Sequence, residues 1–378
     1  MKIADVRGRT VRGTVRPLRI GGGLTWDVSY CSTIVEIETD EGLIGRGETW
    51  FGFGEEQETV NARAIERVFK PLLVGEDPRE ITYLWKKLWN YAKGQGLMNP
   101  FSAIDQALWD LKGRWLGVPI YELLGGKVRD KIHAYACSPG KKAPEQIISN
   151  VKRYADLGFK ATKLGIGHGV ENDRQFIRTV TEAAEGRIKI AVDANGYYEN
   201  LVDAMQVAEV CDECDIFWLE EPVPHTDVEG LAELNRRFKT PISGFQTEIG
   251  VFRMKHYLEK NALEIYQPRI CYCGGISQSK QVSLLCDIWN KMFIPHAFGG
   301  GIKFCGTLHV VASAPSGGWV EFPISLEAED PRQFMYASYM NNAHILNADE
   351  NGLINVPQGP GNGVEIDEDV LRELEIRL

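Results

Sequence analysis

One pattern constrains this chain more than any other. Beyond about residue 128, short apolar runs alternate with amphipathic helical segments: KIHAYAC, KATKLGI, IKIAVDA, IFWLEEP, PISGF, LEIYQP, KMFIPHA and GWVEF, separated by stretches such as LVDAMQVAEVCDE and SQSKQVSLLCDIW. Strand–helix repetition of this length predicts a parallel sheet with helical crossovers. Eight such runs point to a closed (β/α) barrel rather than an open doubly wound sheet. The Rossmann alternative also lacks its glycine fingerprint, because LGIGHG does not fit G-x-G-x-x-G.

A polar residue ends most of these runs: Lys163, Asp193, Glu220, Gln246, Arg269, His296 and Glu321, at spacings of 30, 27, 26, 23, 27 and 25 residues. In a parallel barrel the C-terminal strand ends share one mouth, so the series converges on a single pocket. Within FWLEE, with Trp218 set outward under a helix, one of Glu220 and Glu221 joins each face of the strand, and alternation alone does not decide which. Buried carboxylates held close together need a cation between them to stay ionised. Asp193 and Glu220 are therefore candidate ligands for a hard, oxygen-loving ion, Mg²⁺ first. The plainer alternative has these acids capping helices or forming ion pairs.

The first 125 or so residues read differently, as strands followed by helices in an α+β unit. STIVEIETDEGLIGRGE alternates about a turn at Asp40–Gly42, as a hairpin should. SAIDQALWDLKGRWLG reads as the clearest helix, with Ser102 and Asp105 as a capping box and Ile104, Leu108, Leu111 and Trp115 on its buried face. Gly117 and Pro119 end it. Boundaries are expected at 1–127 for this unit, 128–349 for the barrel, and 350–378 for a tail that packs back on the first unit.

The net charge of −10 argues against nucleic acid as a partner. No apolar run approaches the ~20 residues that span a bilayer. The start MKIADVRGRTVRG has no signal-peptide stretch, so no membrane partner and a cytoplasmic location are expected. The eight cysteines, including the C-x-x-C of Cys211 and Cys214, have no second pair at zinc spacing and are expected to be reduced and buried.

VDAN, WLEEP and PHAFGGGI, with SAIDQALWDLKG upstream and YQPRICYCGGIS and GPGNGVEID downstream, resemble the enolase superfamily over nearly the whole chain. The resemblance is greatest to its mandelate racemase/muconate lactonizing enzyme group, and in texture to sugar-acid dehydratases and galactarolactone cycloisomerase-type enzymes. It implies an α+β cap over a (β/α)7β barrel, Mg²⁺ at the strand ends, and removal of the proton α to a carboxylate through an enediolate. It also implies Glu220 as the inward acid, a small-molecule carboxylate substrate and a homo-oligomer.

Against that pattern, several positions depart. Gln246 stands where a third carboxylate ligand belongs, with Glu248 two residues on as a substitute. Gly165 replaces a base lysine, leaving Lys163. Arg269 replaces the aspartate expected to orient His296, and its charge should hold the imidazole neutral. The preferred reading is an active enzyme in which Asp193, Glu220 and Gln246 or Glu248 hold the ion. His296 or Lys163 then moves the proton, Glu321 hydrogen-bonds the enediolate oxygen, and Arg269 fixes the substrate carboxylate. Asn195, Trp26 and Trp50 complete the substrate pocket with Phe51, unless the aromatics serve to pack the two units together. The alternative is a barrel that has lost metal-dependent chemistry. Because Gly165 removes a base from one face of the α-carbon, loss of water is expected ahead of racemisation, epimerisation or cycloisomerisation.

Overall fold

The protein is described by a computed structural model over residues 1–15, 18–19, 25–26, 29–50, 52–53, 55–137, 144–326 and 328–376, with side chains described outside 13–29, 51–54 and 138–144. The expectations for Phe51 and for the Trp26 side chain lie outside the described residues.

The N-terminal unit contains the strands β1 (Ile3–Val15), β2 (Leu18–Arg19), β3 (Thr25–Trp26), β4 (Ser29–Thr39), β5 (Ile44–Glu48) and β6 (Gly52–Phe53). Its helices are α1 (Glu55–Ala64), α2 (Lys70–Leu73), α3 (Ile81–Ala92), α4 (Met98–Leu116) and α5 (Ile120–Leu123). The predicted hairpin is the antiparallel β4–β5 pair, with β1 on the other side of β4. Helix α4 lies across β5 because that strand carries glycine where the helix passes. A Cβ on Gly47 would sit 2.0 Å from the Ala103 carbonyl oxygen, and one on Gly45 2.3 Å from that of Ala107.

Helix α4 starts one turn earlier than its sequence signature suggests. Ser102 and Asp105 thus lie inside it and do not cap it; their partners are in the barrel. Trp115 is also displaced from the expected buried face. It is 40% exposed and carries the Arg79 guanidinium over its ring. The helix ends as predicted, at Gly117 in the left-handed conformation (φ 71°).

The barrel alternates β7 (Lys131–Cys137), α6 (Pro144–Asp156), β8 (Ala161–Gly165), α7 (Val170–Ala184), β9 (Lys189–Asp193), α8 (Leu201–Glu213), β10 (Leu219–Glu220), α9 (Val228–Arg237), β11 (Ile242–Gly244), α10 (Met254–Lys260), β12 (Ile265–Tyr266), α11 (Gly275–Ile288), β13 (Met292–Phe293), α12 (Gly301–Ser313) and β14 (Trp319–Pro323). Neighbours pair in parallel from β13 round to β7 and on to β14. Between β13 and β14 the strand ends are tied by a side chain, as the Glu321 carboxylate accepts from the amides of Ala297 and Phe298 at 3.2 Å each.

The barrel interior is filled by Tyr135, Ala161, Ala191, Trp218, Ile265 and Ile294. Trp218 therefore points inward, not under a helix. Alanines on β8 and β9 leave room for its indole, which meets Tyr135 edge-on at 5.1 Å. Leu219 joins the cluster packed against the surrounding helices, so alternation turns Glu220 inward with Trp218.

After the barrel, β15 (Leu353–Asn355) pairs antiparallel with β7. The chain then crosses to the N-terminal sheet, where α13 (Glu368–Leu374) is followed by a bond from the Ile376 amide to the Thr10 carbonyl. Arg9 and Arg46 both reach Glu368 at 2.9 Å. All eight cysteines are free thiols, with Cys211 and Cys214 inside or at the end of α8. No helix among the described residues is long and apolar enough to cross a membrane.

The contact between β5 and α4 allows a direct test. Gly47→Ala forces a methyl group into the Ala103 carbonyl and should destabilise the protein by about 2 kcal/mol or more, seen as a lower midpoint of urea unfolding.

Candidate active site

Strand register sets the site in layers. Gly165, Asp193 and Glu220 are level across β8, β9 and β10, while Lys163 pairs with Ala191 one pleat below. From that depth the Lys163 side chain reaches up into the carboxylates. Its Nζ lies 2.7 Å from Glu220 Oε1, 3.2 Å from Asp193 Oδ2 and 3.4 Å from Glu321 Oε1. Burial disfavours its charge, but Glu220, Glu321 and Asp193 together hold its pKa well above the ordinary lysine value. Such an ammonium has no free pair with which to take a proton, so Lys163 does not suit the role of base.

Glu220 is saturated with donors. Beyond Lys163 on Oε1, its Oε2 accepts from Gln267 Nε2 at 2.8 Å and Trp218 Nε1 at 3.2 Å. Burial and the neighbouring Asp193 push its carboxyl up to about 8. Asp193 is 20% exposed at the mouth and accepts from the Asn195 amide at 2.9 Å. Asn195 itself is exposed, with φ at 49°.

The next strand carries a relay in place of a third acid. Gln246 donates from Nε2 to Glu221 Oε2 at 2.7 Å and accepts on Oε1 from Arg269 Nη2 at 3.0 Å. Glu221 is pushed up to about 7, first by burial and then by Asp193. Glu248 faces elsewhere: its carboxylate accepts from the Tyr257 hydroxyl at 2.9 Å and lies 3.5 Å from Arg253 Nε.

Opposite these acids is a cationic wall built on Trp50. The Arg269 guanidinium lies 4.1 Å from the indole centroid and the Lys303 ammonium 4.5 Å, and the His296 ring is at 5.2 Å. Arg269 and His296 are bridge partners just beyond the ends of β12 and β13. His296 Nε2 is 3.5 Å from Glu321 Oε2, which leaves Nδ1 buried with no hydrogen-bond partner among the described residues; Arg269 Nε is in the same state. Burial first, then Arg269, Lys163 and Lys303, hold the His296 pKa well below its ordinary value against the pull of Glu321. Burial also disfavours charge on Glu321, yet Lys163 and the amide bonds keep its carboxyl below the usual range.

Two features escaped the sequence. His296 does have an acid beside it, supplied by β14 in place of the position occupied by Arg269. Lys303 is the second; the signal for it is a single lysine in GIKFCGTLHVVAS, which carries no other lysine, arginine or acid. Burial lowers its pKa to about 8, and it donates to the Ala297 and Phe298 carbonyls. Around the start of α12 the backbone faces the chain's own groups. Gly301 donates to Tyr339, Lys303 donates its amide to Glu48, and a Cβ on Gly300 would overlap Glu48 Oε1 at 1.8 Å.

Residues 4–125 match the family described as Mandelate racemase / muconate lactonizing enzyme, N-terminal domain, and residues 146–370 match the one described as Enolase C-terminal domain-like. The chain belongs to the mandelate racemase/muconate lactonizing enzyme family of the enolase superfamily. This member is 31% identical to a D-galactarolactone cycloisomerase of Agrobacterium fabrum, over 91% of each chain. It is 30% identical to an arabinonate dehydratase of Saccharolobus solfataricus, over 90% of each. Among solved structures, the 3,6-anhydro-D-galactonate cycloisomerase of Zobellia galactanivorans covers 100% of both chains at 28% identity with a TM-score of 0.83.

Members of the superfamily generally use Mg²⁺, and the donor set here does not fit that ion. A hard dication wants several free oxygens at about 2.0–2.1 Å. Of the four expected ligands, Glu220 is saturated, Gln246 is engaged at both ends of its amide, and Glu248 is turned to Tyr257 and Arg253. Among the described residues no group of three or more acids, histidines or cysteines is arranged to hold a metal.

The electrostatics of the wall predict an imidazole that stays neutral. In ¹⁵N-histidine spectra of this seven-histidine chain, the resonances removed by His296→Asn should show no protonation shift between pH 8 and 5.5.

Proposed function

We propose that the protein is a lyase that removes water from a small hydroxy acid or sugar acid, beginning with the proton α to the carboxylate. The observation that carries this reading is the pairing of a neutral, buried imidazole whose Nδ1 is unpartnered with a neighbouring guanidinium whose Nε is unpartnered. Arg269 binds the substrate carboxylate, backed by Trp50 and the charge of Lys303. His296 Nδ1 takes the α-proton while the C–H electron pair moves into the enediolate. Arg269 and Lys303 stabilise that negative charge, and Glu321 stabilises the imidazolium. As the enediolate collapses, the carbon–oxygen bond to the β-hydroxyl breaks. The imidazolium returns its proton to the leaving oxygen, so that one water and an enol are formed.

A single group serving as base and then acid suits elimination. Inverting the α-carbon would require a second base on the opposite face. Gly165 stands level with Asp193, and a Cβ there would meet nothing within 4 Å. Sugar-acid dehydratases among the relatives support the same class. Glu321 is thus placed behind His296 rather than on the enediolate oxygen.

A panel of sugar acids and hydroxy acids, assayed for 2-oxo acid formation and for solvent deuterium at the α-carbon, tests this. At least one substrate should yield a 2-oxo acid. His296→Asn should reduce both readouts by ~10²–10⁴-fold, and Arg269→Met should chiefly raise KM. Wild-type exchange rates in His296→Asn would overturn the assignment.

A further inference from the structure

We infer that the Lys163 ammonium is the resident cation of this site: it occupies the functional place of a divalent metal, and the protein neither binds nor needs Mg²⁺ there. The inference concerns the site of the proposed lyase but stands on different groups, since it holds whether or not His296 moves a proton.

Four observations point the same way. The Lys163 Nζ is within 3.4 Å of carboxylates from three strands, β9, β10 and β14. An ion bound to Asp193 and Glu220 would have to approach the same oxygens and would face the repulsion of an ammonium already on them. Nor can the lysine withdraw. Its side chain is 5% exposed and rises from a strand whose interior layer is filled by Tyr135, Ala161, Ala191 and Trp218, so the packed interior below offers the amine no other place.

Glu220 is held by donors on both oxygens. Trp218 and Gln267 fix Oε2, and rotating the carboxylate towards an ion would orphan a buried indole N–H and a buried amide.

At position 246 an amide is what the neighbours require. Glu221 needs a donor there and Arg269 an acceptor; glutamine supplies both ends, while a glutamate would set a second carboxylate 2.7 Å from Glu221. Using the Gln246 carbonyl as a metal ligand would strip the guanidinium of that partner.

Finally, the acids are matched to protein cations in space. Lys163 serves Asp193, Glu220 and Glu321, and Arg269 serves Glu221 through Gln246. Charge on bound substrate is left to Arg269 and Lys303 at the Trp50 wall. The two cation sets thus divide the work that a metal would otherwise do in one place: compensating the carboxylates, and receiving the substrate.

The test is a Mn²⁺ titration of the full-length, chelator-treated protein, followed by the electron paramagnetic resonance signal of free Mn²⁺, with Mg²⁺ as competitor and thermal melting in parallel. The wild type should leave Mn²⁺ free up to millimolar concentration and show no Mg²⁺-dependent change in melting temperature. Lys163→Met, which replaces the ammonium with an uncharged chain of similar length, should gain Mn²⁺ affinity at least tenfold. Gln246→Glu should gain affinity too, and it keeps the inference testable should the Met variant fail to fold. A stoichiometric wild-type site with micromolar affinity that Mg²⁺ displaces would overturn it. So would a folded Lys163→Met and a folded Gln246→Glu that both bind no better than the wild type. If the wild type binds no metal yet no acid on the panel loses water, the lyase reading falls and the lysine assignment stands; if metal binds but His296-dependent exchange persists, the reverse holds.

Discussion

The contact on which this site depends is between one buried ammonium and three carboxylates at the top of the barrel, two of them buried. Two or three acids that close in a low-dielectric core repel each other and lose the hydration that charged groups require. Lys163 answers that cost from below, reaching up one pleat to Asp193, Glu220 and Glu321. Its position sets the rest. Glu220 then turns inward over Trp218, and Glu321 is left with one oxygen for the lysine and the other for His296 and the amides that tie β14 to the end of β13. Barrel closure and imidazole orientation therefore share a single carboxylate.

A second pair of carboxylates joins the N-terminal unit to the barrel, and both do so at helix N-termini. Asp105 accepts the amide and hydroxyl of Ser277 in the first turn of α11 at 3.0 and 2.6 Å, while Ser102 accepts from Gly274 at 3.1 Å. Glu48 accepts the Lys303 amide in the first turn of α12 and the Ser32 hydroxyl on its other oxygen. Unsatisfied amides and the positive end of the helix dipole make these good places for a foreign carboxylate. The consequence reaches the chemistry, because α12 carries Lys303 and Glu48 is two residues before Trp50. The end of β5 and the two residues after it thereby position both the indole and one of the cations stacked on it.

Much of this was legible in the residues. All eight apolar runs became parallel strands; Asp193 and Glu220 end theirs, Gln246, Arg269 and His296 follow theirs, and Lys163 and Glu321 lie two residues inside. Apolar periodicity is a local property, so it survives being read without partners. The identity of partners was not legible. The capping-box signature of Ser102 and Asp105 is real chemistry aimed at another helix, 172 residues away. Glu321 stands in for the acid missing at Arg269, from a different strand. Trp218 turned inward because two alanines elsewhere in the barrel left a space for it.

The order of elements, the placement of a polar group at or near the end of seven of the eight strands, and the departures at Gly165, Gln246 and Arg269 are all written in the linear chain, since each follows from residue type and spacing. Which charge meets which was settled only when the barrel closed. A carboxylate in a line of text has no neighbours; in the folded mouth its partner is whichever cation or donor comes within about 3 Å. That choice sets Lys163 among three carboxylates, His296 beside Glu321, and Arg269 between Gln246 and the Trp50 ring.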